Sequence, residues 1–318
     1  MRAGGIGMSG LHVTAAPPAP PRIVIVSSAD AKYYPLLREL LASIRKHPQV
    51  RHIHGFRIID AGLTPEQRQT LENEGCVVED GIWPIDLSAR RVKGREFLKA
   101  CVSRPFIPTL FPNADVYIWL DADTWVQDWG AIELLVAGAL KSGLAVVPQV
   151  DRAYGKTMRL GWLGAMPFRP RSFYYSNARK AFGGRIARAL FPFPTINAGV
   201  FAMRADAPHW ARWQVLIRQA LKRGNIFTAE QLTMGMMIYL EDAAAEFLPS
   251  LCNWLCDTKP LYDPAQRRFI EPYLPHLPIG ILHLTGYDSM RADKGVVTDI
   301  KFPDGSVHPM SLRFPDAA

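Results

Sequence analysis

The segment "YIWLDADTWVQDW", residues 117–129, runs from an apolar strand into two carboxylates that are one residue apart. Ligands of open α/β sheets bind at the carboxyl ends of the strands, where the loops converge. In an extended chain, Asp121 and Asp123 project to the same side, about 7 Å apart. A slight turn would bring both to one hard cation, which prefers oxygen ligands. The spacing alone leaves two interpretations open, a divalent-metal site and a tight acidic turn.

Strands and helices alternate on both sides of this segment. Apolar, β-branched runs predict strands at 22–30, 54–62, 76–79, 115–120, 144–150, 199–203 and 280–284. Helices are predicted from Pro35, at 64–75 with Thr64 as N-cap, and at 94–110, 130–142, 207–223 and 229–241. The alternation predicts an α/β fold whose twisted, mostly parallel sheet has helices on both faces.

Composition restricts the partners and the compartment. The chain has 37 basic and 29 acidic residues, a net charge of +8 and a pI near 9.4, which favours anionic partners. Its basic residues form short clusters, so we expect a basic pocket and no nucleic-acid partner. Four cysteines make no disulfide framework, and no second pair follows Cys252 and Cys256 at zinc-site spacing. Free thiols favour a reducing, cytoplasmic location.

The first 21 residues, "MRAGGIGMSGLHVTAAPPAPP", predict a disordered arm because they are rich in Gly, Ala and Pro. They lack the continuous apolar core of a signal peptide. No stretch of the chain approaches the ~20 uninterrupted apolar residues of a membrane span.

Residues 152–193 show little periodicity and predict an irregular insertion over the edge of the sheet. Aromatic side chains alternate with arginines throughout this insertion. Two interpretations stay open. The insertion is either a loop with its own small core and a solvated face, or a contact surface for an acceptor or for the inner face of a membrane.

Two further stretches place polar side chains beside strands. "TINAGVFAM" puts Asn197 before Ala198 and Gly199, which indicates either a turn or an amide beside backbone that a ligand can approach closely. "ILHLTG" ends an apolar strand on His283, with Gly286 just beyond. A lone histidine in this setting is either a satisfied core residue or a functional ligand.

The stretch "FTAEQLTMG" puts Glu230 and Gln231 in the first turn of a helix. Thr228 and Gln231 have the spacing of a capping box, so a purely structural role for this stretch is open.

The joint order of these stretches resembles a family 8 retaining glycosyltransferase. The order is a strand with "SSADAKYY", Arg104 seventeen residues before Asp121, "WLDADTW", "NAG", "EQ", Asn253 and "HLTG". The resemblance covers residues 22 to about 290, and no single motif carries it. It implies the GT-A fold, a single Rossmann-like domain at 22–318.

The same resemblance implies a nucleotide-sugar donor, usually a UDP-sugar, with Mn2+ or Mg2+ bridging its two phosphates. Asp121, Asp123 and His283 would be the protein ligands of the ion. Catalytic roles would fall to Gln231, Glu230 and Asp123. The implied donor-binding residues are Asp30, Tyr33, Arg104, Asp121, Asn197, Ala198, Gly199 and Gly286.

The resemblance implies transfer of a hexose with retention, by same-face attack, to a glycan, lipid-linked or protein acceptor. One departure concerns the lysine that usually follows the family's His–x–x–Gly motif, because Ser289 stands there. We expect Arg291 or Lys294 to supply the missing positive charge to the donor. The family's Asp-Gln pair is also one methylene longer here, as Glu230 and Gln231.

The same residues bear on three other functions. A haloacid dehalogenase-type phosphohydrolase would have Thr or Val where Trp125 stands, near the start of its chain. A sugar nucleotidyltransferase would have a Gly-rich phosphate loop, which "SSADAKYY" lacks. A nucleotide-sugar or glycan-binding module without turnover stays open.

Overall fold

The computed structural model describes residues 19–154 and 159–315. The arm predicted at 1–21 lies outside these residues except for its last three. Within the described ranges, no helix is both long enough and apolar enough to cross a bilayer.

The strands of the described residues are numbered in chain order: β1 (Ile23–Ala29), β2 (Ile53–Asp60), β3 (Val77–Asp80), β4 (Val116–Leu120), β5 (Thr124–Val126), β6 (Leu144–Pro148), β7 (Arg159–Leu163), β8 (Met166–Arg171), β9 (Ile196–Arg204), β10 (Glu246–Phe247), β11 (Trp254–Leu255), β12 (Leu261–Asp263), β13 (Arg268–Ile270), β14 (Ile281–His283), β15 (Thr298–Lys301) and β16 (Val307–Met310).

The α-helices are α1 (Tyr34–Arg45), α2 (Pro65–Asn73), α3 (Ala89–Val92), α4 (Lys99–Val102), α5 (Ile107–Leu110), α6 (Gly130–Ser142), α7 (Phe173–Phe182), α8 (Gly184–Leu190), α9 (His209–Leu221), α10 (Ala229–Leu240) and α11 (Asp288–Ala292). Short 3-10 turns lie at Pro48–His52, Glu96–Leu98, Arg104–Phe106 and Ser250–Cys252.

Seven strands form the main sheet, in the order β10-β6-β9-β4-β1-β2-β3. The strands β4, β1, β2 and β3 run parallel to one another, and β10 runs parallel to β6. Only β9 runs against its neighbours β4 and β6 among the described strands of this sheet. The sheet is therefore mixed and mostly parallel, as predicted.

Both faces of this sheet are covered because its central strand is apolar on both sides. On β4, Tyr117 and Trp119 belong to a core shared with α7 to α10. Val116, Ile118 and Leu120 face a second core, shared with α1 and α6. All five side chains are buried. This continuous apolarity, with alternate residues on opposite faces, is typical of a strand at the centre of an α/β sheet.

A smaller sheet of β11, β14 and β5 positions one side chain of the predicted site. The strand β5 pairs antiparallel with β14, so that His283 lies opposite Thr124. The strand β11 supports the other side of β14, with Leu255 opposite His283. This pairing brings His283 beside the turn that contains Asp121 and Asp123.

The single helix predicted at 94–110 is wrong. The segment folds instead into α4, α5 and two 3-10 turns. Pro105 and Pro108 lie inside it, and proline both lacks a backbone N–H and clashes with the preceding helical turn. The helix is therefore broken into pieces, one of which carries Arg104.

The insertion at 152–193 contains more regular structure than its irregular pattern predicts. The strands β7 and β8 form an antiparallel hairpin, and α7 and α8 follow it. Tyr174 and Ala178 on α7, with Ala187 and Leu190 on α8, are buried in the core on one face of the main sheet. The two helices are therefore part of the domain core.

Candidate functional site

The acidic pair, Asp121 and Asp123, follows β4 at its carboxyl end in a tight turn. The backbone N–H and the hydroxyl of Thr124 both donate to the carbonyl of Asp121, at 3.0 and 2.7 Å. The N–H of Asp121 donates to the carbonyl of Gly199 on β9, at 2.8 Å. The turn interpretation is thus correct for the backbone, but it does not account for the side chains.

The two carboxylates and His283 converge on one point. One oxygen of each carboxylate and one ring nitrogen of His283 lie within 4.8 Å of one another. His283 Nε2 is 3.9 Å from Asp121 Oδ2 and 3.4 Å from Asp123 Oδ1. Cis and trans ligands of Mg2+ or a similar ion are about 3 to 4 Å apart, given bonds of 2.0–2.1 Å. These three atoms therefore fit one divalent ion.

Two arginines hold the remaining carboxylate oxygens. Arg104 Nη2 donates to Asp121 Oδ1 at 2.6 Å, and the indole Nε1 of Trp119 donates to the same oxygen at 2.8 Å. Arg291 Nε lies 2.8 Å from Asp123 Oδ2, as an ion pair. Each carboxylate therefore has one oxygen engaged by protein cations, while the other faces His283.

Two amide side chains determine which nitrogen of His283 is free. Asn197 Oδ1 accepts from the backbone N–H of Gly199 at 2.8 Å and from Asn253 Nδ2 at 3.2 Å. Asn253 Oδ1 then lies 2.9 Å from His283 Nδ1, and an amide oxygen can only accept. The Nδ1 atom therefore carries a proton, and Nε2 is the nitrogen that faces the carboxylates. Such a partner for the second ring nitrogen is typical of metal-binding histidines.

The pKa values of the two buried carboxyl groups, Asp123 and Glu230, are shifted in opposite directions. Burial disfavours ionised Asp123, but His283 and Arg291 outweigh it and hold the pKa of Asp123 below its usual range. Burial raises the pKa of Glu230 to about 7, although Arg104 works against it. Asp123 is thus ionised at neutral pH, whereas Glu230 is near its midpoint.

Glu230 and Gln231 lie at the start of α10, and Thr228 and Gln231 do not form the capping box that their spacing allowed. Thr228 donates its hydroxyl to Asn177 Oδ1 at 2.8 Å instead of capping the helix. Gln231 Oε1 accepts from the N–H of Ala198 at 3.3 Å. Glu230 Oε1 is 3.6 Å from Arg104 Nη1, and its Oε2 is buried without a hydrogen-bond partner among the described residues.

A cavity of about 520 Å3 opens over this arrangement. Its walls come from the ends of β1, β4, β9 and β14 and from the start of α10. The predicted site residues that line it are Asp30, Tyr33, Arg104, Asp121, Asp123, Asn197, Gly199, Glu230, Gln231, His283 and Arg291. The carboxyl edge of the sheet therefore gathers most of the predicted residues into one cleft.

Three predicted residues do not line the cavity. Ala198 contributes backbone only, because its carbonyl accepts from Arg104 Nη1 at 2.7 Å and its N–H donates to Gln231. Gly286 lies against Asp257 with φ of 77°. Lys294 lies 3.2 Å from Glu39 Oε1. Of the two candidates for the missing positive charge, the structure places Arg291 in the cleft and Lys294 outside it.

The sequence interpretation missed Phe97 and Phe227 as cavity residues, and it considered Phe173 only as part of the insertion's contact surface. Phe97, Phe173 and Phe227 line the cavity, and Phe227 is 65% exposed. Lys32 and Thr285 also line it. Large aromatic residues next to a helix start are usually assigned to the core, so only the observed exposure of Phe227 identifies it as a rim residue.

No protein-family model and no curated protein matches this chain. Among solved structures, the chain is similar to the apo structure of the bifunctional glycosyltransferase WbbM, with a TM-score of 0.52 and 17% identity. That match covers 86% of this chain and 47% of the other, so this chain spans about half the length of WbbM. A galactosyltransferase LgtC, in complex with donor and acceptor sugar analogues, matches with a TM-score of 0.47 and 14% identity, over 83% of this chain and 87% of that one. The similarity to WbbM confirms the predicted mixed α/β fold of GT-A glycosyltransferases.

Gly199→Ala should abolish divalent-metal binding while the sheet stays folded. A Cβ atom at this position would lie 2.5 Å from His283 Cε1, 2.6 Å from Asp121 Oδ2 and 2.7 Å from Asn197 Oδ1, all closer than real contacts allow. Titration calorimetry with Mn2+ measures the loss. Gly184→Ala is the matched control, because its Cβ meets nothing closer than 3.5 Å. Unchanged Mn2+ affinity in Gly199→Ala would contradict the assignment of these atoms.

Glu230→Gln should remove one component of the pH dependence of stability. The raised pKa means that the folded protein binds more protons than the unfolded chain between the ordinary value of 4.5 and about 7. The stability that Glu230 contributes is therefore complete below the ordinary value and is lost as pH rises through the folded value. Relative to Glu230→Gln, we expect the wild type to lose about 3 kcal/mol of unfolding free energy between about pH 4.5 and 8.

Urea denaturation of the metal-free proteins at several pH values tests this prediction. Glu241→Gln, which removes a surface carboxylate beside Arg212, is the control and should follow the wild type. Parallel stability curves for the wild type and Glu230→Gln would contradict it.

Proposed function

We propose that the chain is a metal-dependent glycosyltransferase of the family 8 type. It would transfer a hexose from a nucleotide-sugar, a UDP-sugar, to a glycan, lipid-linked or protein acceptor, with retention of configuration. The observation that carries the proposal is the convergence of Asp121 Oδ2, Asp123 Oδ1 and His283 Nε2 under a cavity of about 520 Å3 in a GT-A fold. A cavity of this volume is within the range of small-molecule sites.

The charges of the site support a dianionic donor. Bound Mn2+ or Mg2+ would neutralise the charge that develops on the diphosphate as the glycosidic bond breaks. Arg291 lies at the edge of the cavity on the Asp123 side, where its guanidinium can contact the same diphosphate. It supplies the positive charge for which the family uses a lysine.

For Arg104 we propose a positioning role in place of the donor contact that the resemblance implied. Its guanidinium contacts the Ala198 carbonyl, Asp121 and Glu230, and it stacks over Trp119 with Cζ 4.6 Å from the ring centroid. A guanidinium with so many protein partners orients Asp121 more than it binds the donor. We assign it as a positioning residue.

The sugar would lie against the amide and carboxyl groups at the start of α10 and β9. Because Asn197 and Gln231 use their oxygens within the protein, their NH2 groups are the donors available to sugar hydroxyls. Glu230 Oε2 is the buried atom that still needs a partner, and a sugar hydroxyl can provide one.

The neutral side chain of Gln231 supports same-face attack. An amide is a poor nucleophile, so a double displacement through Gln231 is not favoured. Asn197, Glu230 and Gln231 instead hold the sugar while the acceptor hydroxyl approaches the face from which the diphosphate leaves. Glu230 binds through Oε2 in this scheme and forms no covalent bond.

Binding of UDP should require the metal and the acidic pair. A ligand at a hundred times its Kd stabilises the fold by about 2.7 kcal/mol, which raises Tm by about 5 °C at this chain length. We expect that shift when UDP and Mn2+ are added together to the wild type, and no shift when UDP is added with a chelator. The variant Asp123→Asn should show no shift under either condition. Asp206→Asn is the control, since Asp206 is an exposed carboxylate paired with Arg204.

The outcomes separate the candidate functions. A metal-dependent shift together with release of free UDP from a UDP-sugar supports the transferase, whereas the same shift without release from any donor supports a binding module. A shift that is indifferent to Mn2+, or no shift with UDP, would overturn the nucleotide–metal assignment.

Arg291→Ala should raise the KM for the donor, because the cavity loses the cation beside the diphosphate. An arginine contact to phosphate that is lost from a half-buried site costs about tenfold to a hundredfold in affinity. Lys294→Ala is the control and should leave the donor KM unchanged, since Lys294 lies with Glu39 outside the cavity. Steady-state kinetics with varied donor measure both. A larger effect of Lys294→Ala than of Arg291→Ala would reverse the assignment.

A further inference from the structure

The positive charge of the chain is concentrated in the insertion at 152–193. These 42 residues contain nine Lys or Arg and no Asp or Glu. The rest of the chain contains 28 basic and 29 acidic residues, so it is close to neutral. The segment therefore carries +9 and the rest of the chain −1, so the positive net charge of +8 comes entirely from this segment.

The hairpin of this segment carries three large apolar side chains at its tip. Leu163 lies opposite Met166 in the register, and Trp162 lies opposite Pro167. Trp162, Leu163 and Met166 are 61%, 65% and 69% exposed. Large apolar side chains that are exposed together, next to positive charge, mark an interaction site.

The charges lie behind this tip on the remainder of the segment. The backbone register places Arg159 opposite Arg171 near the base of the hairpin. On α7 and α8, Arg179, Arg185 and Arg188 are exposed, and they form no ion pair with the residues that the structure describes. The segment therefore combines an apolar tip with exposed arginines on α7 and α8 that lack ion pairs among the described residues, whereas Arg152 at its start is paired with Glu271.

We propose that the hairpin docks this protein on the surface of a bilayer that contains anionic phospholipid. Trp162, Leu163 and Met166 enter the boundary between headgroups and acyl chains, and the exposed arginines of α7 and α8 contact the lipid phosphates. A short apolar insertion alone binds a bilayer weakly, and adjacent basic residues supply the second contribution that makes the binding stable. Both contributions are present in one segment here.

The composition of the tip favours a bilayer over a nucleic acid. Single-stranded nucleic acid binds aromatic faces on which successive bases stack. Only one of the three tip residues is aromatic, whereas Leu163 and Met166 offer flexible aliphatic surface. Flexible aliphatic side chains suit acyl chains and provide no platform for bases.

Residues at both ends of the hairpin contact the candidate site, so docking through the hairpin orients the cavity relative to the membrane. The hydroxyl of Tyr154, before the hairpin, accepts a hydrogen bond at 3.1 Å from the N–H of Leu255, two residues after Asn253. Phe173, two residues after β8, lines the cavity. Docking through the hairpin therefore places the cavity close to the membrane surface. The inference concerns membrane contact and does not depend on the proposed reaction.

Flotation with lipid vesicles tests the proposal. We expect the wild type to float with vesicles of phosphatidylcholine that contain about one third phosphatidylglycerol, and not with phosphatidylcholine alone. The variant Trp162→Ser, Leu163→Ser, Met166→Ser should bind at least about tenfold more weakly. Leu134→Ser, Leu140→Ser, Val215→Ser is the matched control, because it removes three apolar residues exposed by 45%, 42% and 41% elsewhere on the domain.

The charge contribution has its own variant. Arg179→Gln, Arg185→Gln, Arg188→Gln should weaken binding and make it less sensitive to salt, because fewer phosphate contacts remain to be screened. The melting curve and the UDP–Mn2+ shift of each variant show whether it is folded and whether its nucleotide site is intact, independently of vesicle binding. A wild type that does not bind anionic vesicles would overturn the proposal and favour a protein or glycan partner for the hairpin. The proposal would also be overturned if the tip variant bound vesicles as tightly as the wild type. The same holds if the Leu134, Leu140 and Val215 control variant lost as much binding as the tip variant.

Discussion

The buried guanidinium of Arg104 connects the elements on which the site depends. It contacts Asp121 after β4, the carbonyl of Ala198 on β9 and Glu230 on α10, and it stacks on Trp119. Removing one partner of a buried charge pair leaves the other uncompensated, at a cost of about 3–5 kcal/mol. Because Arg104 has several partners at once, its position and theirs determine one another, and the carboxylate of Asp121 is held with a single oxygen toward the cavity.

The backbone of β9 orders the other half of the site. Gly199 accepts from the N–H of Asp121 and donates to the side chain of Asn197. Through Asn253, that backbone contact determines the tautomer of His283. The orientation of the histidine, with Nε2 toward the carboxylates, therefore originates in the sheet, two side chains away. The absence of a Cβ at Gly199 is what lets Asp121, Asn197 and His283 approach one another.

The sequence predicted the structure best where a regular hydrophobic period identified an element and a polar residue followed directly at its end. The strands of the main sheet and the long helices have clear periods, and the carboxylate pair follows a strand whose apolarity marks it as central. Gly286 was assigned to the donor by resemblance, and Lys294 was a candidate for the charge that the chain lacks relative to the family; neither lines the cavity, because Gly286 lies against Asp257 and Lys294 lies beside Glu39. The segment at 94–110 and the rim phenylalanines depend on prolines and tertiary packing, which no local pattern reveals.

The insertion leaves and re-enters the sheet at one place. Pro148 at the end of β6 pairs with Ile196 at the start of β9, and Gln149 donates to the carbonyl of Thr195 at 2.7 Å. The chain between these residues leaves and rejoins the sheet at one pair of neighbouring strands. The length of this segment can therefore change without altering the order of the strands or the position of the acidic pair. Within this segment, α7 and α8 belong to the core, and the hairpin is the exchangeable part. Hairpins of different length or composition should therefore be tolerated at this position, with the cavity and the acidic pair carried over intact.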